Sequence, residues 1–267
     1  MRSRKRKWSA LDANAVSFKV VIPARYGAGR LPGKPLIELA GRPMIQHVYE
    51  RAIESGADEV VLATDDSRIA EAGRRFGADI AMTAESHPSG TDRIAEVIDQ
   101  RGWPDEVIVV NLQGDEPLMS SLLLAQVAVD LADHEPAPLA TLAVPLAHAE
   151  EWRDPNVVKV VRDRRGFALT FSRAPIPYPR DMSLGTHPPE GVARHLGLYA
   201  YRARFLRIFA KLKPAPIEDM ERLEQLRALW YGARIHVADA LETPIAGVDT
   251  IEDAARVAEF LRREAVT

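Results

Sequence analysis

The sequence predicts an α/β fold: a doubly wound, mostly parallel sheet with a small β-rich insertion. Three observations lead there. Over residues 18–144, short and nearly continuous apolar runs alternate with amphipathic segments of 3.6-residue period. The links between them are short, as in right-handed β-α-β units. Beyond residue 150 the alternation stops, and strand-like runs follow one another around polar turns.

Each element has its own signal. Residues 19–23 form the first strand, and Pro43 suits the first turn of a helix over 43–54. A continuous apolar run at 59–64 reads as a strand covered on both faces. A helix over 67–76, a strand over 78–82 and a helix over 91–101 follow. The most apolar strand is 107–112, trailed by a helix over 119–133 and a strand over 139–144. Two strands, 157–162 and 167–172, flank the polar turn Asp163-Arg-Arg-Gly, and a third covers 195–201. The proline-rich stretch between the last two is loop, with Pro175, Pro177, Pro179, Pro188 and Pro189. A helix over 218–231 turns Leu223, Leu226 and Leu229 to a core, and its polar pair Glu224-Gln225 is expected to face water. A strand over 234–238 and a helix over 251–263 close the chain. The expected organisation is a basic tail over 1–17 and one domain over 18–267, with the insertion at about 150–232.

Composition removes whole classes of function. The chain of 267 residues lacks cysteine, which excludes disulfides, zinc–thiolate sites and cysteine nucleophiles. It has no apolar run of ~18 residues, so no membrane-spanning helix is expected. The tail holds five basic residues and one acid. The rest of the chain therefore carries −7 against −3 overall, which argues against a general nucleic-acid binder. No apolar stretch follows the tail's charges, so it is not read as a secretory signal; disorder is expected there.

The segment after the first strand is the richest in chemistry. Gly27, Gly29 and Gly33 are interleaved with Arg25, Arg30 and Lys34. Glycines let backbone N–H groups approach an anion, and three cations in one loop repel unless an anion lies between them. A nucleoside triphosphate is such an anion. Pro35 after Lys34 rules out the P-loop pattern, and the third glycine is one position late for the dinucleotide fingerprint. Ligands of doubly wound sheets lie beyond the carboxyl ends of the strands. Both this loop and Gln113-Gly-Asp-Glu-Pro fall at such ends, on one rim.

Asp115 is there either a turn residue or a carboxylate anchor for a hard cation, which needs only one or two protein carboxylates beside phosphate oxygens. Asp249 precedes the last helix, and Asp249 or Thr250 is the expected cap of that helix. Ser89-Gly90-Thr91 opens a helix and offers hydroxyls and free N–H groups, either as a cap or to a nucleoside. His195 and Tyr199, four apart on a strand, share one face. No Ser-His-Asp order, His-x-x-x-His pair or nucleophile elbow occurs.

Taken in order, these segments resemble the 3-deoxy-manno-octulosonate (Kdo) cytidylyltransferase family, also known as CMP-Kdo synthetases. The resemblance is carried by Ile22-Pro-Ala-Arg-Tyr, Arg30-Leu-Pro-Gly-Lys-Pro-Leu, Ala63-Thr-Asp, Ser89-Gly-Thr-Asp-Arg and Asn111-Leu-Gln-Gly-Asp-Glu-Pro. It continues through Ala140-Thr-Leu-Ala-Val-Pro, Phe171-Ser-Arg-Ala, Arg194-His-Leu-Gly-Leu-Tyr, Leu223-Glu-Gln-Leu-Arg-Ala-Leu-Trp-Tyr-Gly and Gly247-Val-Asp-Thr. It runs from about Phe18 to the C-terminus.

The resemblance implies a Rossmann-like nucleotidyltransferase fold, and transfer of CMP from CTP to the anomeric hydroxyl of Kdo with release of pyrophosphate. It implies Mg²⁺ on Asp115 and Asp249, and Arg30 and Lys34 as the catalytic cations. Pro23, Ala24, Arg25, Arg30, Lys34, Ser89, Gly90 and Thr91 would lie on the nucleotide side. Gln113, Arg173, His195, Tyr199, Glu224 and Gln225 match positions lining the sugar-acid pocket, with Arg173 on the carboxylate. A cytoplasmic homodimer serving lipopolysaccharide synthesis would follow. Gly27-Ala28-Gly29 stand where the family commonly has Ala-Ser-Thr, so backbone N–H groups would do more of the phosphate binding here. A cytidylyltransferase for another sugar acid, of 8-amino-Kdo or neuraminate type, is the nearest rival; a non-catalytic nucleotide-binding subunit is the more distant one.

Overall fold

The computed structural model describes residues 16–27, 31–180 and 188–264. The basic tail up to residue 15, Ala28, Gly29 and Arg30 lie outside them, so the readings placed on those residues have no structural counterpart here.

The first half alternates as the apolar pattern dictates. Strand β1 (Phe18–Ala24) leads through a 3-10 turn (Lys34–Leu36) and a small hairpin, β2 (Glu38–Leu39) and β3 (Arg42–Pro43), into helix α1 (Met44–Glu54). Then come β4 (Glu59–Thr64), α2 (Ser67–Arg75), β5 (Asp79–Met82), α3 (Gly90–Arg101), β6 (Ile108–Asn111), α4 (Ser121–Asp133) and β7 (Leu139–Pro145). The second half holds α5 (Ala149–Arg153), β8 (Lys159–Arg162), β9 (Ala168–Ser172), β10 (Val192–Arg202), α6 (Ala203–Phe209), α7 (Pro216–Glu221), α8 (Gln225–Trp230), β11 (Ile235–Asp239) and α9 (Ile251–Glu264).

The main sheet runs β11-β7-β10-β6-β1-β4-β5. β6, β1, β4 and β5 are mutually parallel, and β11 is parallel to β7. β10 alone runs antiparallel, between β7 and β6. Alternate β1 side chains serve two cores: Val20 and Ile22 pack with Ile45 and Val48 of α1, whereas Val21 packs with Ile94 and Ile98 of α3. This is the period-2 alternation of a strand covered on both faces. A third cluster seats α9 on the start of α1 through Leu39, Met44, Val248, Val257 and Leu261.

Local chemistry fixes the ends that matter. Ser89 and Asp92 form a reciprocal capping box at the start of α3, and Gly102 ends it in the left-handed region at φ 61°. Arg93, fully buried, donates to Asp65 at 2.6 Å and to Thr83, tying the start of α3 to the end of β4.

Three expectations need correction. The β-rich insertion is rooted in the central sheet: the second half of β10 pairs with β6, and only its first half carries β8 and, through it, β9 off to one side. An 11-residue strand is long enough to serve both. The helix expected over 218–231 is two helices, broken at Arg222 in the left-handed region at φ 53°. A buried pair between Arg227 and Glu218, with Nε to Oε2 at 2.8 Å, closes the two against each other. That break turns Glu224 and Gln225 inward rather than to water. Helix α6, directly after β10, was not anticipated.

Candidate active site

Two clefts open on the rim formed by the carboxyl ends of β1 and β6. The smaller, about 230 Å³, is lined by Pro23, Ala24, Arg25, Lys34, Ser89 and Gly90 among others. The larger, about 690 Å³, is lined by Arg194, His195, Tyr199, Glu224, Gln225 and the 244–249 segment among others. Gln113 and Asp115 line both.

Glycines make this meeting possible. A Cβ on Gly114 would stand 3.0 Å from the Pro23 carbonyl oxygen, and one on Gly90 3.2 Å from the Pro23 ring. The end of β1 therefore meets the loop after β6 and the start of α3 closely only because these positions carry no side chain. Gly33 adopts φ 72° and directs Lys34 into the 3-10 turn. Arg25 donates to the carbonyl oxygens of His87 and Ser89, so it braces the segment that caps α3.

At the junction, Lys34 Nζ lies 2.7 Å from Asp115 Oδ2 and 3.0 Å from Asp249 Oδ1. The two carboxylates, 134 positions apart in the chain, thus converge on one cation. Val248 brings the second one there. It is buried, which contributes about 1.5–3 kcal/mol for such a side chain, and its N–H donates to the Asp115 carbonyl at 2.9 Å. Gly247 packs so close that a Cβ would lie 2.7 Å from that carbonyl oxygen and 2.8 Å from Glu116 Cδ. The capping question is answered: Thr250 Oγ1 accepts from Asp253 N–H, and Asp253 accepts from Thr250 N–H. Asp249's carboxylate is left to face Lys34.

The electrostatics follow from this crowding. Lys34 loses some basicity to burial, but its two carboxylate partners outweigh that and raise its pKa, so the ammonium form is secure. Glu116 had no role of its own in the sequence reading. Burial, with the charges of Asp115 and Asp249 beside it, pushes its carboxyl up to about 8. A third carboxylate beside Asp115 was the available signal. Two carboxylates converging on a single cation are a hard-oxygen donor set, so the residues present fit Mg²⁺.

The larger cleft is polar in a particular way. Buried side-chain atoms without a partner, among the described residues, are Arg194 Nε, Tyr199 Oη, Glu224 Oε1, Gln225 Nε2 and one other, Arg93 Nε. Four of the five belong to residues lining this cleft. Unpartnered buried polar atoms are costly, and a ligand rich in hydroxyls would satisfy these. His195 lies between Phe171 and Tyr199, and burial pushes its imidazole down to about 3, so it works as a neutral ring. Burial also raises the Tyr199 phenol, which stays protonated as a donor. An irregularity in β10 between Leu196 and Tyr199 sets both rings, and Thr141 Oγ1 holds it by donating to the carbonyl oxygens of Leu196 and Leu198. Glu224, its pKa raised chiefly by burial, accepts from Thr91 Oγ1 at 2.6 Å; Thr91 thus faces the larger cleft's wall.

Of the expected site residues, all but three line one of the two clefts. Thr91, expected on the nucleotide side, lies instead against Glu224 of the larger cleft. Arg30 lies outside the described residues. Arg173 lines neither cleft but sits beside the larger one: its Nε donates to the Glu221 carbonyl at 2.7 Å and its Nη1 to the Pro155 carbonyl at 2.9 Å, next to the 156–158 stretch of that cleft's lining. Arg194, which the resemblance carries in its motif without a role, does line the larger cleft; its Nη1 is 3.4 Å from Glu151.

The fold and site define a nucleotidyltransferase-like protein, with a cleft lined by Arg25 and Lys34, a convergent carboxylate pair and a separate polar cleft. The comparisons agree. The cytidylyltransferase family model matches residues 19–235, and the chain belongs to that family. A relative from Halorhodospira halophila (strain DSM 244 / SL1) named 3-deoxy-manno-octulosonate cytidylyltransferase is 58% identical over 92% of this chain and 97% of its own length. One of the same name from Nitrosococcus oceani is 53% identical over 92% and 97%. The solved structure of CMP:2-keto-3-deoxy-manno-octonic acid synthetase complexed with CTP superposes with a TM-score of 0.84 at 41% identity, covering 93% of this chain and all of that one.

Proposed function

We propose that the protein transfers CMP from CTP to the anomeric hydroxyl of Kdo, giving CMP-Kdo and pyrophosphate. The observation that carries this is the shared wall: a cation-lined cleft and a polar cleft meet at Gln113 and Asp115, beside the Lys34–Asp115–Asp249 junction. A donor and an acceptor held on either side of that wall would present the reacting atoms to each other there.

In this reading CTP occupies the smaller cleft. Its ribose and base lie toward Ser89 and Gly90, and its phosphates lie along the 25–34 loop. Lys34, with Arg30, offsets charge on the departing pyrophosphate, an electrostatic contribution of the kind that dominates phosphoryl transfer. Kdo occupies the larger cleft. Tyr199, Glu224 and Gln225 hydrogen-bond its hydroxyls, Gln113 bridges the two ligands, and neutral His195 orients the ring without exchanging a proton. Arg194 supplies the fork for the carboxylate, the position that Arg173 was expected to fill. Asp115 and Asp249 would hold Mg²⁺, which supplies charge neutralisation at the phosphates when bound.

A homodimer in the cytoplasm, feeding lipopolysaccharide synthesis, completes the proposal. Leu169, Ile217, Met220, Trp230 and Tyr231 are exposed apolar side chains on β9, α7 and α8 and the residue after it, and they support an interface there. No helix among the described residues is long and apolar enough to cross a membrane. The test is direct: the protein with CTP, Mg²⁺ and Kdo should release pyrophosphate and form CMP-Kdo, and N-acetylneuraminate should not replace Kdo. Turnover with neuraminate in preference to Kdo would overturn the assignment, and 8-amino-Kdo in parallel decides the closer rival.

A further inference from the structure

We propose that Asp130, His134 and His236 form a transition-metal site, for Zn²⁺ by its chemistry, that clamps the end of α4 to the edge strand β11. None of the three lines either cleft. Asp130 and His134 are four apart at the end of α4, hence on one face, and His236 comes from β11, the edge of the main sheet. Their candidate ligand atoms all lie within 4.8 Å of one another.

Hydrogen bonds already draw the three groups together. His236 Nδ1 is 2.6 Å from Asp130 Oδ2. His134 Nδ1 is 2.7 Å from the Asp130 main-chain carbonyl and 3.5 Å from Oδ1. The two imidazoles are stacked, centroids 3.4 Å apart and planes 14° from parallel. Parallel rings send their lone pairs along parallel planes, so one ring must tilt for both to meet a single ion. His134, with a side chain one-third exposed at the helix C-cap, has room to do so. His236 does not: its side chain is 8% exposed, the edge of Phe167 meets it, and a Cβ on Gly166 would come within 2.6 Å of its Nε2. One fixed imidazole, one fixed carboxylate and one adjustable imidazole give three ligands, with the fourth position open to water.

The donor set selects the ion. Two imidazoles and one carboxylate suit Zn²⁺ and its borderline neighbours, whereas Mg²⁺ takes oxygen ligands and keeps its waters. The clamp would act at a useful place. Gln126, on the same helix, donates to the Asp239 carbonyl at 2.8 Å and accepts from Leu241 N–H at 3.0 Å. This junction launches the 240–250 segment that ends at Asp249.

The test uses full-length protein with Mg²⁺ in excess, so that the oxygen-ligand site is filled. Titration with Co²⁺ should develop the visible absorption of a four-coordinate ion, and titration with Zn²⁺ should show one high-affinity equivalent and a raised Tm. His134→Ala, at a half-buried position just past the end of α4, should fold and turn over CTP as wild type does. It should lose at least the ~10–100-fold in affinity that even an outer partner of a metal ligand commands, and with it the Zn²⁺-dependent rise in Tm. Asp130→Asn should weaken binding as well. Absence of a Co²⁺ band in the wild type, or binding that His134→Ala leaves unchanged, overturns the proposal.

Discussion

Lys34→Met is the most informative single change, because it should move two measurements in opposite directions. Met matches the aliphatic stem of the side chain as far as Cε and removes the ammonium. In the structure the ammonium bridges Asp115 at 2.7 Å and Asp249 at 3.0 Å, which places the two carboxylate oxygens within about 6 Å of each other. At that separation their repulsion is ~0.7 kcal/mol in water and ~3 kcal/mol at an effective dielectric of 20. The Asp249 side chain is 79% exposed, which favours the lower part of that range. In the wild type a divalent cation must displace the ammonium; in the variant it relieves a repulsion instead. About 1–2 kcal/mol of net gain is about tenfold in affinity. Mn²⁺ binding to nucleotide-free protein, read by the loss of free-ion paramagnetic resonance signal, should therefore tighten about tenfold. CTP affinity should weaken, and turnover should fall by ~10²-fold, the scale of losing one charge-assisted contact at a reacting phosphate. Unchanged or weaker Mn²⁺ binding would refute the view that Lys34 stands in for the cation, and near-normal turnover would refute its place on the phosphates.

Other changes probe the neighbouring geometry. Asp249→Asn should leave Tm within a degree or two, since Thr250 does the capping, while lowering kcat and raising the Mg²⁺ requirement; wild-type turnover at limiting Mg²⁺ would remove Asp249 from the metal site. Gly247→Ala places a carbon against Asp115 and Glu116, so it should displace Asp249 and cost activity while leaving far-ultraviolet circular dichroism unchanged; full activity would show that the loop is not seated as described. Glu116 is neutral in the folded protein up to about pH 8, yet ionises near its ordinary 4.5 when unfolded. Its contribution to stability is thus fully present below about pH 4.5 and lost as pH rises through about 8, so metal-free wild type should lose Tm relative to Glu116→Gln over that window, and parallel curves would sink the assignment. Arg194→Ala should raise KM for Kdo at least tenfold and leave KM for CTP within about twofold, whereas Arg173→Ala, which frees two main-chain carbonyls, should act chiefly on Tm; the reverse pattern would return the carboxylate to Arg173.

The first half of the chain was legible because its information is local. Alternating apolar runs over 18–144 are short-range patterns, and the strands and helices fall within one or two residues of where periodicity puts them. The second half is decided by contacts that no window contains. The apolar run at the end of β10 reads the same whether it pairs inside an insertion or with β6; what places it in the main sheet is the register Tyr199 to Asn111 and Tyr201 to Val109, nearly ninety residues away in sequence. The break at Arg222 is hidden for the same reason. Leucine spacing over 218–231 favours one helix, and the Glu218–Arg227 pair that closes two short ones is a tertiary interaction, strong enough to hold Arg222 at positive φ. A reading that keeps that helix whole leaves Glu224 and Gln225 on the water side, so the error in secondary structure carried directly into the expected surroundings of two site residues.

The site shows the same division. Lys34 and Asp115 were singled out by charge and by lying in the segments that follow β1 and β6, a rule that needs only the strand assignment, and the structure brings them within 2.7 Å of each other. Asp249 was ambiguous, because Asp before a helix is as good a cap as it is a ligand. Nothing within its own segment decides between the two. What the structure adds is Thr250, which takes the capping role through Asp253, and Gly247, whose missing side chain lets Val248 bond to the Asp115 carbonyl and so brings Asp249 onto Lys34. Arg173 shows the opposite limit. Its charge suggested a carboxylate partner, but a guanidinium can be satisfied by carbonyl oxygens, and the loops around Glu221 and Pro155 supply them. Charge type narrows the candidates for a site; which of them is free to meet a ligand is set by the backbone groups nearby, and those are placed by packing.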